Sequence, residues 1–212
     1  FDPRSRRWTL LPASPTPRGA AALAALDGKL YAVGGAAGQA LTTLEVYDVA
    51  GRRWHSAPPM ATPREHIAAV AAGDGLYVFG GRSSAGELDT AERFDPSSRH
   101  WSRLPSLRKA RSGFAAVAVQ GRPVVLGGEE LGAGGTTIAE VELFDQKRRR
   151  WEPLPLLGTP RHGLGGAAMG RRIYALEGGP MPGFTYSDKL EFLDLPPRPA
   201  SSSRRLGWNS RW

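Results

Sequence analysis

Cysteine is absent from the 212 residues, so the chain can form no disulfide, thiol nucleophile, cysteine-ligated zinc site or iron–sulfur cluster. No apolar run approaches the roughly 20 residues of a membrane-spanning helix, and no membrane partner is expected. The nucleophile motif Gly-x-Ser-x-Gly and the phosphate-binding loop Gly-x-x-x-x-Gly-Lys-Ser/Thr are both missing. We therefore predict neither a metal nor a cofactor, and assign no catalytic residue.

Lysine is scarce as well: it supplies 4 of the 28 basic residues and arginine supplies 24, against 20 acidic residues. Of the net charge of +8, the segment Pro196–Trp212 contributes four arginines and no acid. The remaining arginines are spread along the chain, so no nucleic-acid partner is predicted. The composition of 196–212, rich in Ser, Pro and Arg, predicts a disordered tail. Because the sequence opens at Phe1 without a basic-then-apolar leader, we expect a mature chain or a fragment.

Several features recur together with a spacing of 46 to 51 residues. Tryptophan stands at Trp8, Trp54, Trp101 and Trp151. Paired glycines stand at Gly34-Gly35, Gly80-Gly81, Gly127-Gly128 and Gly178-Gly179. Six residues before each of these tryptophans is an Asp that follows an aromatic residue: Asp2, Asp48, Asp95 and Asp145. An arginine lies 17 or 18 residues before the second glycine of each pair: Arg18, Arg64, Arg111 and Arg161. Features that share one period indicate a repeat architecture.

Each repeat has the pattern of short antiparallel strands. In the second repeat the apolar run 67–71 is followed by a turn at Asp74-Gly75 and a second apolar run, 76–79. Asp-Gly between two short apolar runs is a strong hairpin signal, and the first repeat has it at Asp27-Gly28. The Glu-x-aromatic-Asp stretch and the Trp segment add a third and a fourth strand. Four short strands per repeat are typical of one blade of a β-propeller.

The arginine, the glycine pair, the Glu-x-aromatic-Asp stretch and the tryptophan together resemble the kelch repeat. The second repeat shows them as Arg64…Gly80-Gly81…Glu92-Arg-Phe-Asp95…Trp101. The resemblance implies an all-β kelch-type propeller with four recognisable blades of four antiparallel strands, over residues 1–195. The expected repeats are about 18–63, 64–110, 111–160 and 161–195, with 1–17 as the outer strand of a preceding or closing blade. In kelch proteins the aromatic residue and the tryptophan fill the wedge between blades.

The last repeat has no tryptophan six residues after Asp194, which leaves two alternatives open. Trp8 could complete that blade and close a four-bladed ring. Alternatively, Phe1-Asp2 is the remnant of a lost blade, and the chain is a fragment of a five- to seven-bladed propeller. Self-association that completes the ring is a further expectation.

The resemblance also implies where a ligand would bind. In kelch-like proteins the repeat arginine opens the innermost strand at one mouth of the central channel, and the loop after the glycine pair lies there too. The expected ligand-binding residues are Arg18, Arg64, Arg82, Arg111, Arg161, His66 and His162. Such an array of guanidinium groups suits carboxylate or phosphate. The alternative is that each repeat arginine makes structural hydrogen bonds to the neighbouring blade's backbone, with the recurring glutamates as structural partners.

These residues predict a binding or interaction module for an acidic ligand, either a peptide or a sugar acid. The alternative is a carbohydrate-acting enzyme of the sialic acid epimerase or mutarotase type, and a third is a propeller without a ligand. A copper oxidase of the galactose-oxidase type is excluded because it needs a cysteine. Glu129 and Glu130 are expected to be solvated on an exposed loop. Loops 129–139 and 180–187 are expected to be specialised.

Overall fold

Short β-strands form the regular structure of the protein in the computed structural model, which describes residues 1–132 and 134–196. Within this part of the chain no helix has the length and apolarity that crossing a membrane requires. The predicted tail at 196–212 lies, apart from Pro196, outside the described residues.

The strands form four antiparallel sheets, the blades, in chain order. Blade 1 comprises β1 (Ala22–Leu26), β2 (Lys29–Val33), β3 (Leu44–Asp48) and β4 (Arg53–Ala57). Blade 2 comprises β5 (Ala68–Ala72), β6 (Gly75–Phe79), β9 (Ala91–Asp95) and β10 (His100–Leu104), with a loop hairpin of β7 (Arg82–Ser83) and β8 (Gly86–Glu87). Blade 3 comprises β11 (Ala115–Val119), β12 (Arg122–Leu126), β15 (Val141–Asp145) and β16 (Arg150–Leu154), with a loop hairpin of β13 (Glu129–Glu130) and β14 (Thr136–Thr137). Blade 4 comprises β17 (Gly165–Met169), β18 (Arg172–Leu176) and β19 (Leu190–Asp194).

The predicted fold class, an all-β propeller with four blades of antiparallel strands, is confirmed. The first strands of successive blades pack side by side in the order β1, β5, β11, β17 and line a central channel. The hairpin turn at Asp27-Gly28 has positive φ at both residues, 48° and 71°, as a type I′ turn requires. Blade 4 has three strands within the described residues, in keeping with the missing tryptophan of the last repeat.

Tryptophan and its aromatic partner fill the wedge between blades, as the kelch resemblance implied. In blade 3, Trp151 contacts Phe144 with 5.1 Å between ring centroids and the rings tilted by 49°, and it meets Phe79 of blade 2 edge-on at 5.3 Å. The indole Nε1 of Trp151 donates to the carbonyl of Pro105, 2.9 Å away, in the segment that connects blades 2 and 3. Trp101 and Trp54 donate in the same way to Pro58 and Pro12.

The ring is not closed by Trp8. Trp8 is 83% exposed and contacts Phe1 with the two rings tilted by 48°, and Asp2 bridges Arg7 in a small hairpin. The face of blade 4 that points away from blade 3 is uncovered, since Leu190 and Phe192 are 61% and 60% exposed. Blades 1 and 4 therefore do not pack on each other as successive blades do.

The glycine pair lets the next blade approach. The second glycine donates its N–H to the arginine carbonyl of the following blade, as Gly81 does to Arg111 at 2.8 Å. A Cβ on the first glycine, Gly80, would lie 2.8 Å from the same carbonyl. In blade 4 the pair is shifted by one residue: Gly178 takes the second position, 17 residues after Arg161, and Glu177 the first, with φ 55°.

Candidate functional site

The side chains of the repeat arginines are buried and ion-paired. Arg64, Arg111 and Arg161 have no exposed surface, and the side chain of Arg18 is 5% exposed. Each forms an ion pair with the recurring glutamate of the third strand of its own blade: Arg18–Glu45, Arg64–Glu92 (2.9 Å), Arg111–Glu142 (2.6 Å) and Arg161–Glu191 (3.1 Å). The guanidinium groups thus face glutamates within the blades, and the recurring glutamates are their structural partners, as expected.

Arg64 illustrates how these arginines hold a blade together. Its Nη1 donates to the carbonyls of Gly80 (2.8 Å) and Thr90 (2.9 Å), which belong to the same blade. The expectation that these side-chain hydrogen bonds go to the neighbouring blade's backbone is therefore wrong; the Arg64 carbonyl contacts the neighbouring blade, where it accepts the Gly35 N–H at 3.0 Å. Burial lowers the pKa of the Arg64 guanidinium, and the charge and hydrogen bond of Glu92 oppose that shift. A ligand-binding role for the four repeat arginines stays a prediction. Their guanidinium groups already form ion pairs and hydrogen bonds within the blades.

The channel mouth has a rim whose side chains differ from blade to blade. The residue after each repeat arginine bridges the residue after the glycine pair. These rim pairs are Gly19–Ala36, Glu65–Arg82, Ser112–Glu129 and His162–Gly179. In a repeat protein the positions that vary between repeats can carry the specificity, because the constant positions serve the fold.

A chain of hydrogen bonds links the rim from blade to blade. His66 N–H donates to the Ala20 carbonyl (2.9 Å), Gly113 N–H to the His66 carbonyl (3.0 Å) and Gly163 N–H to the Gly113 carbonyl (2.6 Å). All four residues have positive φ. At His66, with φ 48°, a non-glycine residue holds the left-handed conformation, which costs about 1–2 kcal/mol. The rim is therefore a fixed backbone frame.

Three charged or titratable side chains meet on the rim of blade 2. Arg82 Nε donates to Glu65 Oε1 at 2.7 Å, and Glu65 Oε2 lies 2.5 Å from His66 Nδ1. Partial burial opposes ionisation of Glu65, but the hydrogen bonds from Arg82 and His66 bring its pKa below the usual value. The Arg82 and His66 side chains are 27% and 41% exposed, so a ligand can reach this cluster.

The rim of blades 3 and 4 carries a second cluster with unsatisfied oxygens. Glu129 is only 6% exposed, and its Oε2 lies 3.4 Å from His162 Nδ1 without a hydrogen bond. The buried Ser112 hydroxyl also has no hydrogen-bond partner. His162 Nε2 lies 3.0 Å from the Met181 carbonyl. The expectation that Glu129 is a solvated carboxylate is therefore wrong. Its β-bridge with Ser112 directs the buried Glu129 side chain towards the channel mouth.

The two clusters are neighbours, since the Gly113 N–H is bonded to the His66 carbonyl and a Cβ on Gly113 would lie 3.5 Å from Glu129 Oε1. Beside the first cluster is a cleft of about 740 Å³. It is lined by Glu65, by the loop at 36–43 and by Ser83 and Ser84. Within the described residues no group of three His, Asp or Glu has the arrangement of a metal site.

Comparison with known proteins agrees with this architecture. The family model described as the KLHDC2/KLHL20/DRC7 Kelch-repeats domain matches residues 1–179, and the chain belongs to this kelch-repeat family. The solved structure reported as "Structure of YjhT" superposes with a TM-score of 0.77 at 18% sequence identity. The match covers 87% of this chain and 65% of that one, so the chain spans less than two thirds of that neighbour. The likeness shows the fold alone. A search of curated proteins finds no match.

Sequence reasoning named three of the rim residues, Arg82, His66 and His162, and missed Glu65 and Ser112. The missed residues directly follow a repeat arginine. The signal was present in the alignment of the repeats, where this position reads Gly, Glu, Ser and His, while the arginine before it never changes.

Proposed function

We propose that the protein is a kelch-repeat binding module that takes a carboxylate-bearing ligand at the rim, with the carboxylate on Arg82 and His66. The observation that carries this proposal is the exposure of Arg82. Its side chain is 27% exposed, its Nε donates to Glu65 Oε1, and its Nη2 lies 3.5 Å from His66 Nε2. A ligand carboxylate can therefore bind the Nη edge in the bidentate manner that arginine favours.

The second cluster supports a ligand that also carries hydrogen-bond donors. Glu129 Oε2 can only accept, and the Ser112 hydroxyl can donate or accept. Both atoms are buried, so a ligand hydroxyl reaches them only with a shift of the rim side chains, and pairing then recovers about 1–3 kcal/mol for each atom. A sugar acid offers a carboxylate and several hydroxyls, and an acidic peptide with serine or threonine offers the same groups.

Isothermal titration calorimetry with glucuronate, N-acetylneuraminate and an acetylated Asp-Ser-Glu-Ser peptide tests the proposal, with glucose as the uncharged control. We expect one of the acidic probes to bind and glucose not to bind. The change Arg82→Ala should weaken binding about 10- to 100-fold, because a hydrogen bond to a charged group contributes about 1.5–3 kcal/mol. Arg150→Ala is the matched control, since Arg150 is exposed on the outer strand of blade 3. Equal affinity in the two variants would contradict the proposal.

A catalytic alternative has one specific observation in its favour. Glu129 and His162 form a buried acid–base pair at the mouth, as an epimerase or mutarotase would need. Following the anomer ratio of N-acetylneuraminate by NMR tests it. Faster equilibration with the wild type than with Glu129→Gln would make the module an enzyme. Equal rates would leave binding as the function.

A further inference from the structure

A pocket of about 320 Å³ opens at the junction of blades 1 and 2. Both blades have four strands, and all of the walls lie between residues 29 and 99. Lys29, at the start of β2, is one of the wall residues, whereas the rim follows the other end of that strand, after Val33. The pocket is therefore separate from the rim. We call it the wedge pocket; its walls include Tyr31, Val46, Ala57, Phe94 and Pro96.

At the junction of blades 2 and 3 the protein fills the corresponding place with its own side chains. The Arg93 guanidinium lies over the Tyr77 ring, 5.9 Å from its centroid, and donates to Asp74 Oδ1 at 2.7 Å. Gln146 Nε2 donates to the Tyr77 hydroxyl at 3.2 Å. Leu104 is buried in the same apolar cluster as Tyr77. The repeat therefore shows which groups occupy this place when it is closed.

Smaller side chains leave the wedge pocket open. Its ring pair matches that of the filled junction, since the Tyr31 and Phe94 centroids lie 6.4 Å apart and those of Tyr77 and Phe144 lie 6.3 Å apart. Three other positions differ. In strand or turn position, Arg93, Leu104 and Gln146 correspond to Val46, Ala57 and Pro96. The wedge pocket is thus the space that a guanidinium group, a leucine side chain and an amide fill one junction further on.

Positive charge prevails at the mouth of the wedge pocket. Lys29 stands where blade 2 has Gly75, and it lines the mouth together with Arg99; both lining residues are exposed. Among the residues that line the pocket one is an acid, Asp48, whose Oδ1 accepts the Gly51 N–H of its own turn at 2.8 Å. Two cations thus meet one carboxylate. The surplus positive charge favours an anionic ligand, and a lysine beside an arginine suits a carboxylate.

Tyr31 supplies both an aromatic face and a hydrogen-bond donor. Burial raises the pKa of its hydroxyl and the negative charge of Asp27 raises it further, so the hydroxyl is protonated at neutral pH and can donate to an anion. Pro96 offers it no amide of the kind that Gln146 gives Tyr77. An apolar cavity of about 150 Å³ holds benzene, so the wedge pocket has room for a ring and a polar substituent.

We propose that the wedge pocket binds a small aromatic carboxylate, with its ring against Tyr31 and Phe94 and its carboxylate on Lys29 and Arg99. The ring takes the space that side chains fill at the next junction, and the carboxylate balances the surplus positive charge. This site does not depend on the rim, since the rim pairs and the wedge pocket share no residue.

Saturation-transfer NMR titrations of the 212-residue chain with benzoate test this proposal. Benzyl alcohol is the control that keeps the ring without the charge, and acetate keeps the charge without the ring. We expect benzoate to bind about 10-fold or more tightly than either control, because only benzoate combines ring burial with a hydrogen bond between charged groups. Lys29→Ala should weaken benzoate binding about 10-fold and leave benzyl alcohol binding unchanged. Lys147→Ala is the matched control, since Lys147 is an exposed lysine in a turn of blade 3.

A filled variant tests the position of the site. Val46→Leu with Ala57→Leu gives blade 1 the residues that blade 3 has at these strand positions, Leu143 and Leu154. We expect this variant to keep a cooperative thermal melt. It should weaken benzoate binding about 10-fold or more, because the ring loses its space. Arg82→Ala, which changes the rim, should leave benzoate binding unchanged.

Four results would overturn the proposal. Benzoate binds no more tightly than benzyl alcohol; Lys29→Ala has no more effect than Lys147→Ala; the filled variant keeps full affinity; or Arg82→Ala weakens binding as much as the filled variant does. The last result would move the benzoate carboxylate to the rim, which supports the proposed function and refutes the wedge pocket. Failure of the wedge pocket alone leaves the proposed function standing, because the sugar-acid titrations with Arg82→Ala test the rim separately.

Discussion

A methyl group on Gly80 should open the junction between blades 2 and 3. The residue has φ 48°, and a Cβ there would lie 2.8 Å from both the Arg111 carbonyl and the Phe114 ring. The left-handed backbone costs a non-glycine residue about 1–2 kcal/mol. Displacing blade 3 costs about 1–3 kcal/mol in overpacking and about 0.5–1.5 kcal/mol in the Gly81–Arg111 hydrogen bond. We therefore expect Gly80→Ala to lower the free energy of unfolding by about 3–6 kcal/mol.

Gly73→Ala is the matched control for this prediction. Gly73 has φ 62°, but a Cβ there would meet no atom within 4 Å, so only the backbone cost of about 1–2 kcal/mol applies. Urea unfolding followed by tryptophan fluorescence measures both variants, and the difference between them isolates the contact between the blades. In a thermal melt the difference corresponds to about 5–15 °C. If the two variants are equally stable, the glycine pair serves its own strand and not the junction.

Three further predictions follow from the buried pairs, the acidic turns and the altered pair of blade 4. Arg111→Met leaves Glu142 buried without its ion-pair partner, so it should lower the free energy of unfolding by about 3–5 kcal/mol. Arg82→Ala should keep the free energy of unfolding within about 0.5 kcal/mol of the wild type, and a thermal melt measures both variants. Hydrogen bonds from Ser97 and Ser98 lower the pKa of Asp95 from 3.8 to about 2, so its contribution to stability is complete above pH 4 and is lost as the pH falls towards 2. Asp95→Asn should make acid unfolding less steep in that window, and an unchanged acid titration would contradict the assignment. Glu177→Gly should raise the free energy of unfolding by about 1 kcal/mol, because glycine removes the cost of the left-handed backbone at φ 55°, and the same urea unfolding measures it.

The period of the sequence was sufficient to predict the blades, because each constant residue serves a contact that every blade repeats. The role of the tryptophans and of the aromatic residues before each aspartate was implied by the kelch resemblance, and it agrees with the need of a twisted sheet to bury both faces. The missing tryptophan of the last repeat likewise indicated an incomplete blade 4. A shift in the last repeat was also visible: 18 residues separate Arg161 from Gly179, where the other repeats have 17. The structure resolves it by placing Gly178 in the second position.

The rim could be predicted only in part. A pattern shows that an arginine recurs, but not whether its guanidinium turns into the channel or into the sheet. The glutamate that pairs with Arg64 is 28 residues away in the sequence and becomes its partner only through the strand order. The burial of Glu129 depends in the same way on the bridge to Ser112, which no local pattern contains.

The hydrogen bonds that pass along the rim from Ala20 to Gly163 have a consequence for how the molecule comes apart. Among the described residues the main strand contacts between blades join blades that are neighbours in the sequence, so the protein behaves as a row of four links. The two inner links are held from both sides, whereas each outer link is held from one. Amide hydrogen exchange should therefore be slowest in β6 and β12 and fastest in β18, because the outer blades open before the inner ones.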